Sequence, residues 1–250
     1  MGLFFGYRNS ELNPFDTGPE EREYFEARLQ RRCHTKDATQ FCGFTPSGRE
    51  AHEFVKTARV QGETLPLFIR LYSVNPTMGQ QTSVDPRDRR NVKLAEEWIE
   101  QLQRSTQQDT ATLVISHSRG GAGPDPFPQR GYFELLWNSY FGDNLSFITK
   151  ALSPAGSAQI LGLLSCQSDR YFHKALKKRI RHGGKATEEV SLILSSVDTY
   201  PSDNLLAVES IVGGLGQGIC PKEIQHLFKI GDGEYSPRDS FIFHWAAEMR

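Results

Sequence analysis

Short runs of consecutive apolar residues alternate along this chain with segments whose apolar residues recur at helical spacing. A strand with one wetted face alternates apolar and polar residues, so continuous runs indicate strands that are buried on both faces. Strands are predicted at 65–74, 111–116, 158–165, 188–197 and 238–248, and helices at 91–105, 144–152 and 170–184. This alternation predicts an α/β fold with a mainly parallel sheet and helices on both of its faces.

Residues 1–60 differ in composition from the rest of the chain, because they are polar and rich in turn-forming residues. Two helices are predicted there. The first, 19–33, has a proline at its start, acidic residues in its first turn and arginines in its last. The second, 47–59, begins with a serine that can cap it. We therefore expect an N-terminal polar and helical extension, residues 1–60, on one α/β domain, residues 61–250.

The charge balance excludes some classes of partner. The chain has 29 basic and 30 acidic residues, and its net charge of −1 gives no overall attraction to nucleic acid or anionic lipid. No window approaches the roughly 18 apolar residues of a membrane span, and the start lacks the basic flank and cleavage site of a signal peptide. We expect no nucleic-acid partner and no membrane span, in a protein of the reducing cytoplasm or one delivered into another cell without a signal peptide.

The four cysteines are too few and too scattered to form a disulfide scaffold in 250 residues. Cys33, Cys42 and Cys220 are interpreted as structural or incidental. No CxxC pair occurs, and the spacing of Cys33, His34 and Cys42 matches no familiar zinc pattern. We therefore predict no metal site.

Two candidate catalytic residues, His117 and Cys166, each follow a predicted strand. Ligands bind outside the carboxyl ends of parallel strands, and right-handed crossovers bring these two ends to one edge. A thiol is a good nucleophile only when ionised, and an imidazole within reach accepts its proton or stabilises the thiolate. The pair therefore has the parts for acyl transfer, with backbone N–H groups of the turns HSRGG and SCQS as oxyanion donors and with no required cofactor.

The motifs LVISHS and LGLLSC, whose histidine and cysteine are about 50 residues apart, resemble those of the caspase-like (clan CD) cysteine peptidases. This family includes caspases, metacaspases, separases and the self-cleaving protease domains of large bacterial toxins, and LGLLSCQS looks most like the toxin domains. The resemblance covers residues 65–200. It implies an endopeptidase that cuts a specific protein or itself, in a setting such as bacterial effector or defence biology, with Cys166 as nucleophile and His117 as general acid/base.

The chain departs from the family at the residues beside the pair. The family usually has glycine after the histidine, where this chain has Ser118, and caspases have Gln-Ala before the cysteine, where this chain has Leu164 and Ser165. Ser118 leaves open an alternative, a catalytically inactive caspase-like module for binding or scaffolding. A third alternative takes SHSRGGAG as a phosphate-binding loop, but it lacks the glycine patterns of nucleotide-binding loops.

The resemblance implies that the strand after the nucleophile, and the loop beyond it, line the pocket for the substrate residue before the cut. Ser196 and Asp198 lie there, and Ser118 and Ser165 flank the catalytic pair; these four are the candidate substrate contacts. If Asp198 faces the pocket, its carboxylate favours Arg or Lys before the cut. The alternative is that Asp198 caps a turn.

A basic run, with Lys174, Lys177, Lys178 and Arg181, lies in the helix predicted at 170–184. One interpretation is the solvated face of an amphipathic helix. The resemblance implies another, an anion site for a polyanion activator such as inositol hexakisphosphate, because the toxin domains are switched on in this way. Nucleic acid is disfavoured, because no aromatic residues interleave with the run.

Overall fold

The structure is a computed structural model that describes residues 1–6, 18–33, 41–60, 62–73, 89–116, 159–182, 190–199, 201–219, 223–224 and 241–244. These residues form an eight-stranded sheet in the order β2-β3-β4-β1-β5-β6-β7-β8. Its strands are β1 (Gly2–Phe5), β2 (Thr45–Pro46), β3 (Glu53–Val60), β4 (Glu63–Ser73), β5 (Ala111–Ile115), β6 (Ile160–Leu164), β7 (Ser191–Ser195) and β8 (Phe241–His244).

The central part of the sheet is parallel. Strands β4, β1, β5, β6 and β7 are parallel to one another, whereas β2, β3 and β8 each pair antiparallel with their neighbours. The prediction of an α/β fold with a mainly parallel sheet is therefore confirmed.

Helices cover both faces of the sheet. The described part contains α1 (Gly18–Gln30), α2 (Arg89–Gln108), α3 (Ser168–His182) and α4 (Pro201–Gly216). One buried apolar cluster contains residues of α1 and α4, and a second contains residues of α2 and α3. Along β6, Leu164 belongs to the first cluster and Leu163 to the second, and successive strand residues point to opposite faces. Among the helices described, none is long and apolar enough to cross a membrane.

Residues near the N-terminus form part of the sheet, so the prediction that residues 1–60 are an extension is wrong for these strands. β1 is buried between β4 and β5, and β3 occupies the segment where we predicted a second helix. Because β3 pairs along its length with β4, the expected boundary at residue 60 falls inside a hairpin. A four-residue run such as β1 shows no periodicity, and pairing with β4 outweighs the helical spacing within β3.

The other strands and helices predicted within the described residues are confirmed. Strands β4 to β8 and helices α1, α2 and α3 each overlap a predicted element. The helix predicted at 144–152 lies outside the described residues. Helix α4 had no prediction, because it is buried on most of its circumference and therefore shows no one-sided apolar stripe.

Cys33 and Cys42 form a disulfide, so of the two interpretations, structural or incidental, the structural one holds for these two residues. The chain returns to the end of α1 at this point, where the N–H of Gly43 donates to the carbonyl of Arg31 at 2.8 Å. Spacing alone could not show the pairing, because it depends on this return of the chain. Disulfides persist in oxidising compartments and are rare in the cytosol, so the bond counts against the expected reducing cytoplasm.

An ion network stabilises the amino edge of the sheet. Arg70 of β4 donates to Glu53 of β3 and to Asp109, each at 2.8 Å. Ser47 donates to Glu53 at 2.6 Å, and Ser105 of α2 donates to Asp109 at 2.7 Å. Asp109 lies two residues before β5, so this network is at the opposite edge from the carboxyl ends of the parallel strands.

Candidate active site

The strand order marks one edge of the sheet as a place for ligands. β1 has β4 on one side and β5 on the other. The parallel strands are therefore added on one side of β1 first and on its other side afterwards, and the order reverses between β1 and β5. In open parallel sheets the ligand crevice lies outside the carboxyl ends of the strands at such a reversal. The neighbour of β5 is β6, in parallel register with Ile115 opposite Leu164. The strands that precede the two predicted catalytic residues are therefore adjacent and end at one edge.

Gly6, which directly follows β1, packs against the end of β5 at this edge. Its N–H donates to the carbonyl of Ile115 at 2.8 Å. A Cβ at residue 6 would lie 2.6 Å from the Cβ of Ser116, so only glycine fits at this approach. The sequence reasoning missed Gly6 as a site residue because it missed β1.

Cys166 lies two residues beyond β6, and its side chain is half-buried. It is not part of a disulfide. Its thiol donates to the carbonyl of Thr199, which lies beyond β7, with 3.8 Å between Sγ and the oxygen. The thiol is thus held between the end of β6 and the segment after β7.

The turn around Cys166 is fixed by hydrogen bonds. Gln167 has a left-handed backbone with φ of 50°, which is uncommon outside glycine. Its N–H donates to the carbonyl of Val197 at 2.8 Å. The next residue, Ser168, is fully buried, donates through Oγ to the carbonyl of Leu163 at 2.6 Å and accepts from the N–H of Ser195 at 2.7 Å. These bonds tie the turn to the ends of β6 and β7.

The same bonds correct the prediction about the SCQS turn for two of its amides, whereas the N–H of Cys166 stays a proposed donor. We expected its amides to be available to an oxyanion, but the N–H of Gln167 bonds Val197 and the N–H of Ser168 bonds the carbonyl of Ser165 at 3.2 Å. Neither amide is available without breaking the turn. The other proposed donors, in HSRGG, lie outside the described residues.

His117 and Ser118 also lie outside the described residues. The residues before the catalytic pair are described: Ser116 and Ser165 are almost fully buried, at 4% and 1% exposure. Within the described part of the chain neither hydroxyl has a hydrogen-bond partner. Ser165, a predicted substrate contact, is therefore enclosed by protein in this structure.

The two predicted substrate contacts after β7 lie beside the turn that contains Cys166. Ser196 is half-buried and Asp198 is exposed. An oxygen of Asp198 accepts from Nε2 of Gln167 at 3.1 Å, so this carboxylate is one residue removed from Cys166. Both earlier interpretations of Asp198 therefore remain. Its hydrogen bond to Gln167 stabilises the turn, and its position beside Cys166 is one where it could contact a substrate side chain.

The basic run lies on the outer side of α3. Lys174 and Lys178 are exposed and Lys177 is half-buried, whereas Phe172 and Leu176 of the same helix are buried. The side chain of Arg181 lies outside the described part. This distribution is that of an amphipathic helix with a solvated basic face. An anion site there stays a prediction.

A cluster of two histidines and an aspartate lies between α3 and β8. The side chains of Asp169, His173 and His244 each offer one ligand atom, and all three atoms lie within 4.8 Å of one another. Burial, and then the neighbouring His244, lower the pKa of His173 below its ordinary value, against the opposing charge of Asp169. Sequence analysis predicted no metal site. The i,i+4 spacing of Asp169 and His173 was visible in the sequence, but the approach of β8 was not.

Comparison of the chain with protein-family models, with curated proteins and with solved structures gives no match.

Proposed function

We propose that this protein is a cysteine endopeptidase that cuts a specific protein substrate or itself, with Cys166 as nucleophile and His117 as general acid/base. The register of β5 and β6 is the observation that carries the proposal. Ile115 lies opposite Leu164, and His117 and Cys166 are each two residues farther along the chain. Two residues that lie equally far beyond a paired position on parallel strands are expected at the same edge of the sheet, with their side chains on the same face.

The proposed reaction is acyl transfer to the thiol followed by hydrolysis. His117 accepts the thiol proton, and the thiolate of Cys166 attacks the carbonyl carbon of the scissile peptide. The tetrahedral intermediate collapses when the C–N bond breaks and the imidazolium gives its proton to the leaving amine. Water, deprotonated by the imidazole, then attacks the thioester, and the released thiolate regains a proton.

The contact of Cys166 with Thr199 describes a resting state of the nucleophile. A carbonyl oxygen accepts a hydrogen bond from the protonated thiol but repels a thiolate, because both carry negative charge density. Ionisation therefore favours rotation of Sγ away from Thr199. In the proposed mechanism this rotation brings the sulfur toward the imidazole and the substrate.

Asp198 is the proposed determinant of substrate preference. It is exposed and contacts the residue directly after the nucleophile. An ionised carboxylate in this place pairs with a basic side chain, so we propose Arg or Lys before the cut. The solvated lysines of α3 are the proposed site for a polyanion activator, whose binding would weaken with salt.

Labelling with an electrophilic peptide probe tests the assignment of the nucleophile. We compare the wild-type protein with Cys166→Ala and with the matched variant Cys220→Ala, each with and without inositol hexakisphosphate. The proposal expects labelling and any self-cleavage to disappear only in Cys166→Ala. Equal labelling of both variants contradicts it. Absence of labelling in a folded wild-type protein, with and without polyanion, favours the inactive binding module.

A further inference from the structure

Three potential metal ligands converge where the start of α3 meets the edge strand β8. Nε2 of His244 lies 2.5 Å from Oδ1 of Asp169, and Nδ1 of His173 lies 3.7 Å from the same oxygen. The two imidazole rings are stacked, with centroids 3.7 Å apart and an angle of 21° between their planes. All three side chains are between 20% and 30% exposed, so the cluster is partly buried within the described residues.

A hydrogen bond to Asp169 explains the position of one histidine but not of both. The ring of His173 stacks on that of His244, and its Nε2 is buried with no hydrogen-bond partner in the described part of the chain. A buried nitrogen left unpaired carries a free-energy cost, and two stacked imidazoles cannot both become charged without repulsion. A cation held between the carboxylate and the two imidazoles removes the repulsion between the rings, because both bind it in their neutral form.

From this geometry we propose that Asp169, His173 and His244 bind one divalent transition-metal ion, with Zn²⁺ as the representative ion. Two imidazole nitrogens and one carboxylate oxygen suit Zn²⁺ and related ions, whereas Mg²⁺ and Ca²⁺ prefer oxygen ligands. Three protein ligands leave one coordination position for water. The site does not include the catalytic pair and stands whether or not the chain is a peptidase.

Binding needs only a small rearrangement of the cluster. Metal–ligand bonds of about 2.1 Å in tetrahedral geometry place ligand atoms about 3.4 Å apart. The separation between His244 and Asp169 therefore increases from 2.5 Å, and that between His173 and Asp169 shortens slightly from 3.7 Å. Rotation of the two rings out of their stacked arrangement accomplishes both changes.

The metal would connect the edge strand β8 with the helix α3, which begins at the turn that contains Cys166. Asp169 and His173 occupy successive turns at the start of α3, which begins two residues after Cys166, and His244 is the last residue of β8. Because a ligand that binds only the folded state stabilises it, bound Zn²⁺ raises the thermal stability of the whole chain.

Zinc binding to the full chain tests the proposal directly. The protein is stripped with a chelator, kept free of reductant so that the disulfide remains, and titrated with Zn²⁺ by calorimetry and thermal denaturation. We expect one ion per chain, and Asp169→Asn and His244→Gln each to weaken binding about 100-fold or more. The control His52→Gln removes another histidine that contacts a carboxylate, Glu26 at 3.3 Å, and should bind as wild type does. Equal affinity in all four proteins overturns the proposal, as does absence of uptake by wild type.

X-ray absorption of the zinc-loaded wild-type chain is a test that needs no variant to fold. The proposal expects nitrogen and oxygen neighbours with imidazole scattering and no sulfur. A sulfur neighbour at the stoichiometric site would assign the ion to a cysteine instead and would overturn the proposal. Loss of probe labelling at Cys166 leaves this spectrum unaffected, so the metal site and the peptidase fail or succeed separately.

Discussion

The amide of Ser116 donates to the carbonyl of Leu164 at 3.4 Å, one residue beyond the paired segment of β5 and β6. This bond closes the last register pair of the two strands, Ile115 and Leu164, so the parallel pairing reaches to within two residues of His117 and Cys166. A proton can pass between a thiol and an imidazole only over hydrogen-bonding distance, so the proposed chemistry requires the side chains of His117 and Cys166 to meet beyond these adjacent strand ends.

Gly6→Ala should disturb this edge from the side of β1. The new methyl would lie 2.6 Å from the Cβ of Ser116, and relief requires the ends of β1 and β5 to separate. We expect a loss of about 1–3 kcal/mol in the free energy of unfolding, measured by urea denaturation, together with reduced peptidase activity. The control is Gly216→Ala, whose Cβ would meet Leu67 at an ordinary 3.6 Å and should change stability little. Equal effects of the two substitutions would contradict the close approach at Gly6.

Ser168→Ala should loosen the turn that holds Cys166. The substitution removes the bonds to the carbonyl of Leu163 and from the N–H of Ser195 and leaves both groups buried. We expect destabilisation of about 2 kcal/mol or more, measured by chemical denaturation. Thr45→Ala, which removes a 3.4 Å bond at an exposed position, should cost less than about 0.5 kcal/mol. A Ser168→Ala protein as stable as Thr45→Ala would show that the turn does not depend on this hydroxyl.

Asp198→Asn should lower the preference for a basic residue before the cut. The substitution keeps the shape of the side chain and a carbonyl oxygen for Gln167 but removes the negative charge. We expect the ratio of kcat/KM for Arg over Leu substrates to fall about tenfold, measured with a positional peptide library. Gln167→Ala, which removes the contact and keeps the charge, should retain the preference. A wild-type preference for Leu or Asp would remove this role for Asp198.

Glu53 should contribute stability that is lost in acid. Burial raises its pKa, but hydrogen bonds from Ser47 and Arg70 and the charge of Arg70 outweigh burial and hold the pKa below the ordinary 4.5. A carboxyl with a lowered pKa in the folded state stabilises the fold above pH 4.5, and this contribution disappears as the pH falls through the folded pKa. Denaturation at several pH values should therefore show a shallower loss of stability below pH 4.5 in Glu53→Gln than in wild type. Identical slopes would contradict the prediction.

Reduction of the Cys33–Cys42 disulfide should destabilise the protein. The bond joins two residues that are nine positions apart in the sequence. For a loop of this length the chain-entropy model gives a stabilisation of about 2–3 kcal/mol. We expect the double variant Cys33→Ser/Cys42→Ser to melt at a lower temperature and to be insensitive to reductant. Mass spectrometry of an unreduced digest should show the two peptides linked. Recovery of both cysteines as thiols from protein purified without reductant would contradict the bond.

The sequence predicted the repeating part of the fold and missed what depends on distant contacts. Continuous apolar runs identified β5, β6 and β7, because a strand that is buried on both faces consists mainly of consecutive apolar residues. The predictions missed β1 and β3. β1 is too short to show periodicity, and β3 is a strand because it pairs with β4. For the candidate site, the position of Cys166 after a buried strand was predictable. Its contact with Thr199 and the approach of His244 to Asp169 were not, because the chain order of residues does not show which loops meet.

Alkylation of Cys166 as a function of pH tests the central claim most directly. Its rate is followed by mass spectrometry in wild type and in His117→Ala, with Cys220 of the same chain as internal reference. The account predicts that wild-type Cys166 reacts faster than Cys220 at mildly acidic pH, because a paired imidazolium stabilises the thiolate, and that His117→Ala abolishes this difference. An unchanged pH profile for Cys166 in His117→Ala would show that the two side chains do not act together.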